Sequence, residues 1–146
     1  MIAGEVSLME SDLFGGSRVG RRFWLLGLAQ AAHSMEEMRA RLYDFMWIAT
    51  ERLGLTPMGM SATTFALVNM GIIAFLLGIA PFVAARREWA IAVAWIAAIV
   101  EIANGVGHLT AVLVFRGYAP GAITAPLLIA AGVALIVALK REKSLP

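Results

Sequence analysis

The chain has 146 residues, enough for one domain; 60% are hydrophobic and only 15% charged, with a mean hydropathy of +0.80. Soluble domains carry about a quarter charged residues, so this balance calls for a membrane protein and against a water-soluble fold. The absence of cysteine excludes disulfides and thiolate metal sites. The net charge of +2 does not imply nucleic acid as a partner, because the basic residues gather at the ends of apolar segments, where they report membrane orientation.

Residues 1–20 mix Glu5, Glu10 and Asp12 with Gly15-Gly16-Ser17 and show no strong apolar period, which predicts a mobile or surface-lying arm before a membrane domain over 21–146. Arg21-Arg22 ahead of an apolar run imitates a twin-arginine signal, but an acidic arm is an odd lead-in for one. A first helix is expected over about 22–49, longer than the ~20 residues that a span needs. Its second half is amphipathic, with Leu42, Phe45, Met46 and Ala49 set against Arg41, Asp44 and Glu51. Gly54 and Thr56-Pro57 end it.

Ser61 or Thr63 can cap a second helix over 62–85, apolar except for Thr63, Thr64 and Asn69. Arg86-Arg87-Glu88 turns the chain into a third helix over 89–115, which carries Glu101, Asn104 and His108. A fourth is expected over 122–139, with Pro126 in its first turn, where a missing N–H does no harm. Together these make an all-α antiparallel four-helix transmembrane bundle, an integral multi-pass protein of the cell membrane whose main partner is the lipid bilayer. Eight of the twelve basic residues lie in the N-terminal arm, the 86–87 turn and the C-terminus, so both termini should be cytoplasmic.

The stretch least in keeping with its surroundings is His33-Ser34-Met35-Glu36-Glu37. On a helix the imidazole and both carboxylates project from one face. A charge near a membrane centre costs about 2.5–3.5 kcal/mol on insertion scales, so the cluster must be paired, wet or coordinating something. At about 1.5 Å per residue, His33 lies roughly 16 Å in from Arg22, and Glu101 and Asn104 about 18 and 22 Å in from Trp89. Asn69 falls in the same band, and Thr124 can close it from above. Shared depth is what a single site requires. Glu101, Asn104 and His108 also share one helix face, while Gly105 and Gly107 leave room for close helix approach or for a ligand.

His33-Ser34-Met35-Glu36-Glu37, Asn104-Gly105-Val106-Gly107-His108 and Pro120-Gly121-Ala122-Ile123-Thr124 resemble the HxxEE, NxxxH and PGxxT motifs of the HXXEE-domain membrane proteins, in the same order. The resemblance implies a small multipass membrane protein with a suspected metal-dependent activity. It transfers importance to His33, Glu36, Glu37, Asn104, His108, Pro120, Gly121 and Thr124, and is silent on Glu101 and Asn69.

Two imidazoles with one or two carboxylates suit zinc or ferrous iron, zinc leading for want of any redox cue. His33, His108 and one of the two glutamates, Glu37 ahead of Glu36, are the expected ligands. Glu36, displaced to the side, is then the proton acceptor, with Asn104 orienting a water or a substrate carbonyl and Glu101 nearby in a catalytic role. Asn69 reads as glue between helices and Thr124 as a helix cap. Taken alone, His33 with Glu36 and Glu37 also reads as a structural ion-pair network. The expected function is a metal-dependent enzyme, a hydrolase or oxidoreductase, acting on a lipidic or membrane-dissolved small molecule. The alternatives are a metal-free proton-transfer isomerase or cyclase using the paired glutamates, and a cation-binding or transport protein. No polar stripe continues to the inner face to serve the last.

Overall fold

The structure is a computed structural model that describes residues 17–143, and most of the expected N-terminal arm lies outside them. Among the described residues it is all-helical: α1 Arg18–Arg39, α2 Leu42–Arg52, α3 Ala62–Ala84, α4 Glu88–Phe115 and α5 Ala125–Lys143. α1 lies between α3 and α5, and α5 packs most extensively on α4, whereas α3 and α4 barely touch. The four long helices therefore form a ring that is loosest between α3 and α4.

α1 begins four residues earlier than its apolar period suggests. Ser17 is its N-cap, accepting a hydrogen bond from the Gly20 amide at 3.0 Å. The arm expected over 1–20 thus gives up its last residues to a helix, in which Val19 and Phe23 are buried. At the other end the expected helix over 22–49 breaks in two, because Arg41 is left-handed with φ 57°.

That conformation costs about 1–2 kcal/mol for an L residue. Local contacts offset part of it: Arg41 Nε bonds Asp44 Oδ2 at 2.7 Å, and the guanidinium lies over the Tyr43 ring. The break also turns α2 so that its apolar face covers the end of α4, where the Phe45 and Phe115 rings meet edge to face at 5.3 Å. Gly54, with φ 68°, follows α2 as expected of a left-handed cap. Ser61, not Thr63, caps α3. α5 starts three residues later than expected, because the turn before it is held by a carboxylate from α1, and it runs one turn farther, to Lys143.

The dry core lies at the end where α1 begins and α5 stops. Phe23 and Leu26 meet Leu76 and Val83 of α3, Ala94 and Ala98 of α4, and Leu135 and Leu139 of α5. The α4–α5 crossing is close: a Cβ on Gly132 would stand 2.7 Å from Ile102 and one on Gly105 2.7 Å from Ile129, so of the two uses open for Gly105 the structure takes close packing.

Two helices are long and apolar enough to cross a membrane, Ala62–Ala84 and Glu88–Phe115, with mean hydropathies of 2.2 and 1.8. Only 22% and 33% of those stretches are buried inside the protein, the reverse of the core helix of a soluble domain, so their outward faces need an apolar surrounding.

Candidate metal centre

On α1, residues four apart stack on one stripe, and the helix presents His33 and Glu37 inward, both buried. α4 supplies His108 from its C-terminal half. Glu37 Oε1 stands 3.3 Å from His33 Nε2 and 3.0 Å from His108 Nε2. The two rings are edge to face with centroids 4.7 Å apart, and one donor atom from each of the three residues lies within 4.8 Å of the others. Ligands about 2.0–2.1 Å from one tetrahedral ion stand roughly 3.3–3.4 Å apart. The Glu37 distances already have that scale, while the imidazole nitrogens, within 4.8 Å of each other, would have to draw together for both to reach one ion. This group can hold a metal ion.

The turn from Arg116 to Thr124 fixes which ring nitrogens are available. His108 Nδ1 donates to the Pro120 carbonyl. Thr124 Oγ1 donates to Glu36 Oε2 at 2.6 Å, so it must accept from His33 Nδ1 at 2.8 Å. In their neutral forms both imidazoles would therefore carry their proton on Nδ1 and turn the Nε2 lone pair toward the same carboxylate oxygen, and His33 Nε2 is buried without a hydrogen-bond partner. With both rings neutral, three lone pairs would converge in a buried site, an arrangement that a cation among them relieves. Metal-bound histidines are oriented in this way, by a bond from the ring's other N–H.

Gly121 shows how tightly the turn is drawn over the rings. With φ 89° it occupies backbone space that favours glycine. A Cβ there would lie 2.6 Å from His108 Nδ1 and 2.9 Å from His33 Cε1.

Glu36 does not stand free as the spacing suggested. Oε1 accepts from the Tyr118 hydroxyl at 2.8 Å and the Ile123 amide at 3.0 Å, and Oε2 from the Thr124 amide at 2.8 Å and its hydroxyl. It caps the amino end of α5 from another helix, where donors point outward and the helix dipole favours an anion. Tyr118 is the residue that spacing missed; its partner lies 82 positions away and leaves no local signal. Its phenol pKa is raised, by burial first and then by the Glu36 carboxylate that accepts its proton.

Glu101 lies outside the group of three but beside it. It is buried, Oε2 has no hydrogen-bond partner, and its neighbours are the Asn104 amide, His33 and Glu37. It closes the polar end of a groove of about 930 Å³ between α3 and α4, whose walls are Val68, Ile72, Phe75, Ile96 and Val100 and whose end also holds Gln30 and Asn104. Asn104 borders a second, smaller space of about 290 Å³ under α2 together with Gly107 and His108. Asn69 takes the interhelical place: Ser34 Oγ donates to its Oδ1 at 2.6 Å, and Gln30 Nε2 donates to Ser34 at 3.0 Å, tying α1 to α3.

A family model described as "protein of unknown function with HXXEE motif" matches residues 24–135, which include all three motifs. No curated protein and no solved structure matches the chain.

Proposed function

The chain belongs to the HXXEE family, and from that premise we propose a metal-dependent membrane enzyme acting on a lipidic small molecule. His33, Glu37 and His108 hold a divalent transition ion, zinc ahead of iron. The observation that carries this reading is the pair of Nε2 atoms facing one Glu37 oxygen, with both Nδ1 atoms hydrogen-bonded elsewhere. Such an ion supplies Lewis acidity to an oxygen of substrate or water.

The proton work then passes from Glu36 to Glu101, the buried carboxylate with an unpartnered oxygen beside the group. Asn104, between Glu101 and His108 on one face of α4, orients the reacting polar group. The groove between the loosely packed α3 and α4 opens sideways and is apolar up to Glu101, which suits a hydrocarbon chain entering from a bilayer.

In this reading the four long helices all span, antiparallel, with both termini cytoplasmic. Support comes from the eight-to-four split of basic residues and from Leu25, Leu28, Leu127 and Val137, which give α1 and α5 exposed apolar faces too. The dry core below the site argues against a cation pathway.

A metal-free proton-transfer isomerase or cyclase is the second reading, and the orphaned Glu101 Oε2 is what favours it. With Glu36 fully bonded, its acid and base would be Glu37 and Glu101. Elemental analysis of detergent-purified protein separates the two. About one zinc or iron per chain, lost in His33→Ala and His108→Ala and kept in Glu101→Gln, is the expected result. Folded protein without transition metal, not restored by dialysis against zinc or iron, overturns the metal reading.

A further inference from the structure

Gln30, Glu101 and Asn104 are the polar residues of the groove of about 930 Å³ between α3 and α4, and all its other walls are apolar. A series of hydrogen bonds fixes how Gln30 faces. The Asn69 amide donates to the Phe65 carbonyl at 3.1 Å, so its Oδ1 is the atom that accepts from Ser34 Oγ at 2.6 Å. Ser34 has only that proton to give and accepts in turn from Gln30 Nε2 at 3.0 Å. Gln30 therefore turns its carbonyl oxygen elsewhere.

Among the described residues neither Gln30 Oε1 nor Glu101 Oε2 has a hydrogen-bond partner, although the two residues are only 3% and 5% exposed. Two buried acceptors on the lining of one apolar groove lack the same thing, a group with a proton to donate, and each is destabilising until it meets one. The Asn104 amide, which hydrogen-bonds Glu101, brings N–H groups to the same end. From there the walls run about 10 Å along both helices, from Val68 to Phe75 on α3 and from Val100 back to Val93 on α4.

We propose that this groove takes a neutral lipid with a glycerol-like diol head, its hydroxyls on Gln30 and Glu101 and its tail lying toward the start of α4. The volume is that of a site for one small molecule. A carboxylate or phosphate head would set oxygens without protons against two oxygens that need them. An ammonium donates but has no lone pair for the Asn104 amide, whereas a hydroxyl donates and accepts at once, and two hydroxyls bring one proton for each acceptor. The inference deepens the enzyme reading above and rests on its groove as the substrate's way in, not on the metal.

The test is photolabelling of the full chain in phosphatidylcholine nanodiscs, with labelled peptides mapped by mass spectrometry. Four probes share one diazirine-bearing alkyl chain, are compared at equal bilayer concentration, and differ in the head: a 1,2-diol, its bis-methyl ether, a carboxylate and an ammonium. The diol should label segments 68–76 and 93–100 ahead of both charged probes, and ahead of the ether by about 20-fold, at about fivefold for each hydrogen bond. In Gln30→Leu the lead over the ether should shrink to about fivefold. That variant also cuts the link to Ser34, so if it fails to fold, the wild-type ranking and Gly71→Phe carry the test. Gly71 lines the groove and a Cβ there meets no atom within 4 Å, so the ring has room to enter and should abolish labelling of 93–100 by every probe. An ether that labels as well as the diol, a charged probe ahead of the diol, or undiminished labelling in Gly71→Phe would each overturn the proposal. Elemental analysis of the same samples separates the two readings: the expected ranking without metal refutes the metal centre alone, and full metal without the ranking refutes the diol lipid alone.

Discussion

Thr124 gives its hydroxyl proton to Glu36 across 88 positions of sequence, and that single bond decides what His33 can do. A hydroxyl has one proton, so the oxygen meets His33 Nδ1 as an acceptor, and a neutral imidazole then presents its lone pair at Nε2. Thr124→Val keeps the shape and deletes the relay. Metal affinity should fall about 10–100-fold, as for other outer partners of ligating histidines. Thr124→Ser should restore most of it, and isothermal titration with zinc measures both.

Gly121→Ala puts a methyl group where two imidazoles already are, on backbone with φ 89°. The neighbours are ring atoms held by hydrogen bonds and cannot swing away as a flexible chain end would. A loss of about 2–4 kcal/mol in stability is expected, from strain and overpacking together. Metal content should drop in parallel. A variant with unchanged melting temperature and full metal would show that the turn does not press on the rings.

The long apolar runs over 62–84 and 88–115, the serine that caps the first of them, and the stripe of Glu101, Asn104 and His108 were legible because each is a local pattern of one helix. The convergence of His33, Glu37 and His108 was legible from shared depth and motif order. The break at Arg41 was not, since no glycine or proline marks it and its reason is the docking of Phe45 on Phe115, 70 residues on. Nor was the role of Glu36. Spacing puts it next to Glu37, and only the fold shows four donors from the 118–124 turn around it.

Tyr118→Phe removes one of those four donors. The phenol is largely exposed, so the expected loss is small, about 0.5–1 kcal/mol. Its folded pKa lies above the ordinary value near 10, so the neutral form is the one that folding favours. The contribution is therefore fully present below about pH 10 and is lost as pH rises through the folded value. Wild type and variant should differ in melting temperature at pH 8, and the gap should close at strongly alkaline pH.

The chain has no native cysteine, so single cysteines report topology cleanly. With both termini cytoplasmic, an impermeant thiol reagent added to intact cells should label Gly117→Cys and spare Ser144→Cys until the cells are opened. Labelling of Ser144→Cys from outside would reverse the orientation, and labelling of both would break the even number of spans.

Glu36→Gln separates the two roles that a glutamate in this motif can take. As a free proton acceptor, Glu36 could be replaced by the isosteric amide with metal and fold intact. In the structure all four donors that reach it point at oxygen, so an amide must turn its own N–H₂ against either the Tyr118 and Ile123 pair or the two groups of Thr124. It also removes the charge that the amino end of α5 faces. Unsatisfied donors cost about 1–3 kcal/mol each, so a loss of roughly 2–4 kcal/mol is expected. The relay to His33 should fail with it, lowering metal affinity about as much as Thr124→Val does. Glu36→Gln and Thr124→Val should then be non-additive, because each removes the same link; a double variant no weaker in zinc binding than either single one is the expected result. Full metal and an unchanged melting temperature in Glu36→Gln would return this residue to the role of proton acceptor.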